Sequence, residues 1–339
     1  MRNSVNGWIQ KSGQARLVRL AWLKAARVLD RRTAKARVIN LALQGGGALG
    51  AFTWGALDRL SAERVLSIGA ISGASAGALN AALFASGLVR GGGPGARQAL
   101  QSFWTDIADA AAAAAFVFPP MFSLQTDIWR QAFADAGALS VNPLRAMLEK
   151  HVDIGALRAP EAPALYISAT HVRTARPRVF TNADISIDAL LASACLPNLH
   201  PTVWIGGEPY WDGGFSANPP LAPLTGGDAN RTLLVRLIPS GAETPPKSGK
   251  DVDAYLKNLM FSRPLDEELA RLNTGPAAGR LDLDIIDLAD YAPDARLDSR
   301  PTPQFVKGLF AKGRAAAEAF LNREREATAR ETRNADSSA

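Results

Sequence analysis

Two short glycine-bounded turns carry the residue types that could attack an ester. Gln44-Gly45-Gly46-Gly47-Ala48-Leu49-Gly50 follows the apolar run from Val38 to Leu43 and can present a row of backbone N–H donors where a helix begins. Gly73-Ala74-Ser75-Ala76-Gly77 follows the run from Val65 to Ala70 and fits G-x-S-x-G, in which glycines allow a sharp strand-to-helix turn that exposes a serine hydroxyl. Ser75 would then sit at a helix N-terminus, where the dipole favours its alkoxide, whereas Ser72 ends the strand. A nucleophile beside amide donors for an oxyanion is the minimum for acyl transfer. The chemistry indicated is that of a serine acyl hydrolase.

Other readings of the glycine loop lack their second half. Gly45 to Gly50 also matches G-x-G-x-x-G, but a dinucleotide site needs an acidic residue ending the second strand, and Ile71-Ser72-Gly73 stands there. Glu63 precedes that strand, and no Gly-Lys-Ser/Thr follows the loop, which excludes a P-loop. The base is less obvious. A carboxylate then a histidine would follow Ser75 in an α/β-hydrolase. His151, His171 and His200 all precede Asp212, the most suggestive carboxylate, which stands in Tyr210-Trp211-Asp212-Gly213-Gly214. Asp-Gly alone reads as a hairpin turn, but beside these two turns a Ser75–Asp212 dyad becomes the better reading. A histidine-dependent esterase using Ser75 and His200, with Asp184 or Asp188, stays open on residue order.

The elements that must position these groups alternate. From Val38 the pattern is strand, glycine turn, helix (Ala51 to Leu60), strand, glycine turn, helix (Ala76 to Leu88). Leu165 to Thr170 and Thr232 to Leu237 read as further strands, Arg178 to Phe180 as a short one, and Gly91 to Gly95 as a loop. Short apolar strands alternating with helices predict a mainly parallel sheet covered on both faces. Ala110 to Phe122 is alanine-rich and ends in aromatics; it reads as core or as a lid.

Bulk composition sets outer limits. With 339 residues, 47% of them hydrophobic, the chain can bury one large core. The net charge of +6 is concentrated: ten basic residues against Asp30 alone put residues 1–37 at +9, leaving −3 for the rest. That distribution argues against a nucleic-acid-binding surface on the body. Leu17, Val18, Ala21, Trp22, Ala25, Val28 and Leu29 share one arc of a helix opposite Arg16, Arg19, Lys24, Arg27 and Arg31, a pattern suited to an anionic membrane surface or to packing on the body. A single cysteine, Cys195, excludes an intrachain disulfide and fits a reducing compartment. There is no secretory signal and no apolar run long enough to span a bilayer. The expectation is a cytoplasmic protein with peripheral contact to the inner membrane face through residues 1–37. The domain reading is a basic arm (1–37), one catalytic domain (38–322) and a polar tail (323–339) that frays.

Taken in order, these motifs resemble the patatin-like phospholipases. The resemblance rests on Gly45-Gly46-Gly47 with its closing Gly50, Gly73-Ala74-Ser75-Ala76-Gly77 and Asp212-Gly213-Gly214. The segments Ser193-Ala194-Cys195-Leu196-Pro197-Asn198-Leu199-His200-Pro201 and Asn218-Pro219-Pro220-Leu221 extend it over Val38 to Leu237. The family usually carries a basic residue where this chain has Leu49. The resemblance implies a three-layer α/β/α sandwich with a mainly parallel central sheet and hydrolysis of lipid acyl esters without metal or cofactor. It also implies Ser75 as nucleophile, Asp212 as sole base and the amides of Gly45, Gly46 and Gly47 as the oxyanion hole. A non-catalytic membrane-binding module keeping the fold is the reading from another class.

Overall fold

The computed structural model describes residues 37–63, 66–117, 142–197, 199–225, 229, 231–242, 244–274 and 281–337. The basic arm, apart from Arg37 at its end, and the aromatic end of the alanine-rich tract from residue 118 lie outside the described residues. Along the chain come β1 (Arg37–Leu43), α1 (Gly50–Leu60), β2 (Leu66–Ala74) and α2 (Ala76–Val117). They are followed by α3 (Pro143–His151), α4 (Ile154–Leu157), β3 (Ala164–His171), β4 (Arg176–Thr181), α5 (Ile187–Ser193), β5 (Val203–Ile205) and β6 (Glu208–Asp212). The chain ends with β7 (Arg231–Arg236), α6 (Gly249–Thr274), β8 (Asp282–Asp287) and α7 (Pro303–Ser337). The strands expected from apolar runs are all present. The Gly91–Gly95 loop is instead a break within α2, where Gly91 (φ −156°) and Gly92 (φ 61°) leave helical geometry.

One mixed sheet forms, with bonded neighbours in the order β5-β6-β3-β2-β1-β7-β8 and β4 also on β3. The pairs β1–β2, β1–β7, β2–β3 and β7–β8 are parallel. Alternation along the strands divides the core in two, because successive side chains point to opposite faces. Leu41, Leu43, Leu233 and Val235 join the large cluster with Phe52, Leu57, Leu83 and Phe320 of α1, α2 and α7. Ala42 and Leu234, between them in sequence, join Leu265 on the other face, with Leu269 and Leu272 of the same α6 stripe. Helices therefore cover both faces, which gives the expected three layers.

The register of β3 places the site. β4 takes one edge of β3 from Tyr166 to His171, so both other partners share the opposite edge. β2 runs parallel to it until Ala74 stands opposite Ser168. β6 comes antiparallel from the other end until Asp212 stands opposite Ala169. Two strands thus meet head to head on one edge of a third, and their terminal residues become neighbours.

The final helix closes the molecule by packing on α1 at backbone contact. A Cβ on Gly55 would lie 2.1 Å from Phe310 O, and one on Gly313 would lie 2.0 Å from Phe52 O. Arg314 pairs with Asp58 and Arg59 with Glu318 along the same seam. The charged stretch from Arg323, expected to fray, continues α7 to Ser337. Its charges have partners on the body: Glu324 pairs with Arg231, and Arg325 with Glu63 at 2.7 Å. No helix among the described residues is long and apolar enough to cross a membrane. Gly55→Leu is expected to destabilise the fold by about 3 kcal/mol, read as a lower urea midpoint. Gly308→Ala, on α7 with open space at its Cβ, is the control and should raise the midpoint slightly, since glycine inside a helix costs about 1 kcal/mol relative to alanine.

Candidate active site

Ser75 stands between β2 and α2 with φ 51°, a left-handed conformation that a non-glycine residue adopts at a cost. The two glycines of its turn are required by close approach. A Cβ on Gly77 would lie 2.0 Å from Leu43 O, and one on Gly73 would lie 2.7 Å from Gly77 O. Only without those side chains can α2 start hard against β1 and turn the hydroxyl out. The turn is locked by Ser75 N–H, which donates to Ser193 Oγ at 3.0 Å, and by Ser75 C=O, which accepts from Leu79 N–H at 3.1 Å.

Ser75 Oγ donates to Asp212 Oδ2 at 2.7 Å, joining residues 137 apart in the chain. Asp212 is fully buried. Its backbone is fixed on both sides: the N–H donates to Cys195 O at 2.8 Å, and the C=O accepts from Thr170 Oγ1 at 2.7 Å. Its second carboxyl oxygen, Oδ1, accepts from Gly214 N–H at 2.8 Å. Burial pushes the carboxyl pKa up to about 7, against the opposing pull of the Ser75 and Gly214 hydrogen bonds. No basic side chain among the described residues pairs with it. Near neutrality such a group is divided between acid and base forms, as proton transfer in both directions requires.

The glycine loop lies directly against the serine. A Cβ on Gly45 would stand 2.8 Å from Ser75 Cβ. Gly45 N–H donates to Asn218 Oδ1 at 2.7 Å, and Asn218 Nδ2 donates to Phe261 O of α6 at 2.8 Å. The preceding Gln44 is buried, and its Oε1 accepts from Leu237 and Ile238 N–H at 2.8 and 2.9 Å. Gly47 takes φ 55°, and no acceptor among the described residues meets the N–H of Gly46 or Gly47. Of the three glycines expected as donors, Gly45 already has a partner and the other two have none.

The histidine alternative has no such geometry. Ser75 Oγ donates its hydrogen bond to Asp212, while His200 Nδ1 is buried without a partner among the described residues and burial lowers the pKa of its ring. Asp184 accepts from Thr181 Oγ1 at 3.0 Å, and Asp188 pairs with Arg145. Among the described residues, no group of three or more His, Cys, Asp or Glu is placed to hold a metal ion. Sequence reasoning gave no role to Asn218, Ser193, Thr170 or Gln44. Each acts through a single hydrogen bond or a pair of them to distant backbone or side chain, and residue type alone does not signal that.

A patatin-like phospholipase family model matches residues 41–225, which span the glycine loop, Ser75, Asp212 and Asn218. The chain belongs to this family. No curated protein matches it in sequence. Among solved structures, VipD from Legionella pneumophila is similar at 15% identity over 85% of this chain and 67% of its own, with TM-score 0.45. The type III effector protein ExoU is similar at 19% identity over 84% of this chain and 53% of its own, with TM-score 0.35. The ExoU–SpcU complex of the Pseudomonas aeruginosa type III secretion system gives 18% identity over 88% of this chain and 62% of that one, with TM-score 0.34. This patatin-like chain thus spans roughly half to two thirds of the length of those proteins.

The raised Asp212 pKa has a consequence for stability. The folded state holds a proton at pH values where the unfolded carboxylate has lost it, so stability falls as pH rises from the ordinary value of 3.8 through about 7. Above that window the buried charge costs on the order of 4 kcal/mol. Asp212→Asn is therefore expected to be more stable than the parent at pH 8.5, with the difference reduced at pH 5 and gone only below the ordinary value of 3.8. Urea unfolding at the two pH values measures it.

Proposed function

We propose that the protein hydrolyses carboxylic esters of lipids with Ser75 as nucleophile and Asp212 as the sole base. The observation that carries this reading is the 2.7 Å hydrogen bond from Ser75 Oγ to a buried carboxylate that pairs with no cation among the described residues. Family membership supplies the substrate class, lipid acyl esters.

Asp212 accepts the Ser75 proton as Oγ attacks the carbonyl carbon. The C=O electron pair moves onto oxygen, where the amides of Gly46 and Gly47 stabilise it. Asn218 holds Gly45, the residue before them, and so fixes their direction. Collapse re-forms the carbonyl and breaks the ester C–O bond, and Asp212 returns its proton to the departing alcohol. Water then enters, gives a proton to Asp212 and attacks the acyl-enzyme; a fatty acid leaves and Ser75 recovers its hydrogen. The φ of 51° at Ser75 stores part of the alignment in the backbone. Peripheral attachment through the basic residues 1–37 would bring this site to a lipid surface.

Two outcomes test the reading. On a p-nitrophenyl ester, Ser75→Ala and Asp212→Asn should each lower kcat by about three orders of magnitude or more while circular dichroism stays native. Substantial turnover in folded Asp212→Asn would sink the dyad. The pH profile of kcat/KM should show a single acid limb near the Asp212 value of about 7, with activity falling as pH drops and the base is protonated. A limb near an ordinary carboxylate value would contradict the role given to burial.

A further inference from the structure

The large apolar side chains that stay exposed are not evenly spread. Val38, Trp204 and Ile285 stand singly on three strands, as surface residues commonly do. Val252, Leu256 and Met260 instead recur at intervals of four along the first half of α6, each between 39% and 53% exposed. At 100° and 1.5 Å per residue that spacing puts them on one stripe about 12 Å long. Ala254, Asn258 and Phe261, half-buried, lie on the opposite side of the helix. Only from Leu265 onward does α6 pack its leucines against Ala42 and Leu234 of the sheet.

The stripe adjoins the site. Phe261 follows Met260, and its C=O accepts from Asn218 Nδ2 at 2.8 Å, while Asn218 Oδ1 accepts from Gly45 N–H. The Phe261 ring lies 4.9 Å from that of Phe215, three residues after Asp212. A second segment bound to Asp212 exposes Leu199, at 64%. There Cys195 C=O accepts from Asp212 N–H, and Cys195 Sγ donates to Pro201 O at 3.2 Å. Exposed apolar side chains are thus carried by two segments that also hold the site.

Size and charge limit what such a stripe can meet. Three half-exposed side chains fall short of the roughly 800 Å² per partner that a stable interface with a second copy buries. A lipid surface needs no matching face, and an amphipathic helix seats its apolar side about 5–10 Å into it. Asp253 and Lys257, exposed beside the stripe, cancel in charge, so apolar burial drives insertion there. The basic charge of residues 1–37, by contrast, calls for an anionic surface.

We propose that Val252, Leu256 and Met260 insert into a lipid bilayer, with Leu199 as a second contact, and so seat the Ser75 site on the surface that holds its substrate. The proposal rests on the hydrolase reading for its purpose, so binding is measured in Ser75→Ala protein, where no turnover is needed.

Cys195 is buried, so an environment-sensitive fluorophore can be attached through Leu256→Cys. With neutral phosphatidylcholine vesicles its emission should shift to the blue and rise. The same label on Ser67→Cys, exposed at the end of β2 away from Ser75, should not respond. Without label, Leu256→Asp and Met260→Asp should each lower vesicle partition about tenfold, the scale of one large apolar side chain, with native circular dichroism. In active protein, both should lower turnover of vesicle phosphatidylcholine relative to a soluble p-nitrophenyl ester by a similar factor. Absence of partition in the parent would overturn the proposal. Partition that leaves the Leu256→Cys label silent and is unaltered in both aspartate variants would overturn it too, and assign attachment to another part of the chain. Leu256-dependent self-association in sedimentation, without vesicle binding, would replace the bilayer with a second copy. Vesicle binding that needs Leu256, in a parent that hydrolyses no ester, would sink the hydrolase reading and uphold the docking surface.

Discussion

A carboxylate kept out of water without a cation is the constraint on which the rest of the site depends. Asp212 is held by one hydroxyl and one amide, and burial outweighs both. An arginine placed beside it would offset the cost of burial and lower its pKa. The surrounding structure is organised to tolerate the group instead. Cys195 and Thr170 fix its main chain, and Gly214 turns back to meet its second oxygen.

The sheet makes that arrangement affordable in conformational terms. β3 serves as a ruler: β2 ends against Ser168 and β6 against Ala169, so adjacent β3 residues set the separation of Ser75 and Asp212. Neither side chain has to reach. The same logic governs the glycine loop, which leaves β1 beside β2 and is tied by Asn218 to α6 on the opposite face. Three strand ends from one sheet thus bring Ser75, Asp212 and the glycine loop together.

Much of this was legible in the chain because it is local. Strand, glycine and helix succeed one another within a few residues around Gly45 and Ser75, and the turn chemistry declares itself there. The pairing of Ser75 with Asp212 was reachable only as an ordered set of motifs, since an Asp-Gly pair taken alone describes a hairpin. What the sequence concealed is non-local. No pattern announces that Asn218 will accept from Gly45. The polar C-terminal stretch, expected to fray, is hidden for the same reason: it continues the final helix, and Glu324 and Arg325 find partners on Arg231 and Glu63. The break at Gly91 and Gly92 was visible as glycine, but not the continuation of helix beyond it.

The central position of β1 and β2 also governs when the enzyme can come into being. They precede the other described strands in the chain, yet β1 is flanked by β7 and β2 by β3, both made much later. Until then the nascent β1–β2 pair has two open edges, a condition that favours mispairing. The sheet is therefore completed from its centre outward, as later strands dock on a pair that is already made. Ser75 emerges long before Asp212, so the hydrogen bond that joins these residues, 137 apart in the chain, forms only with the fold as a whole.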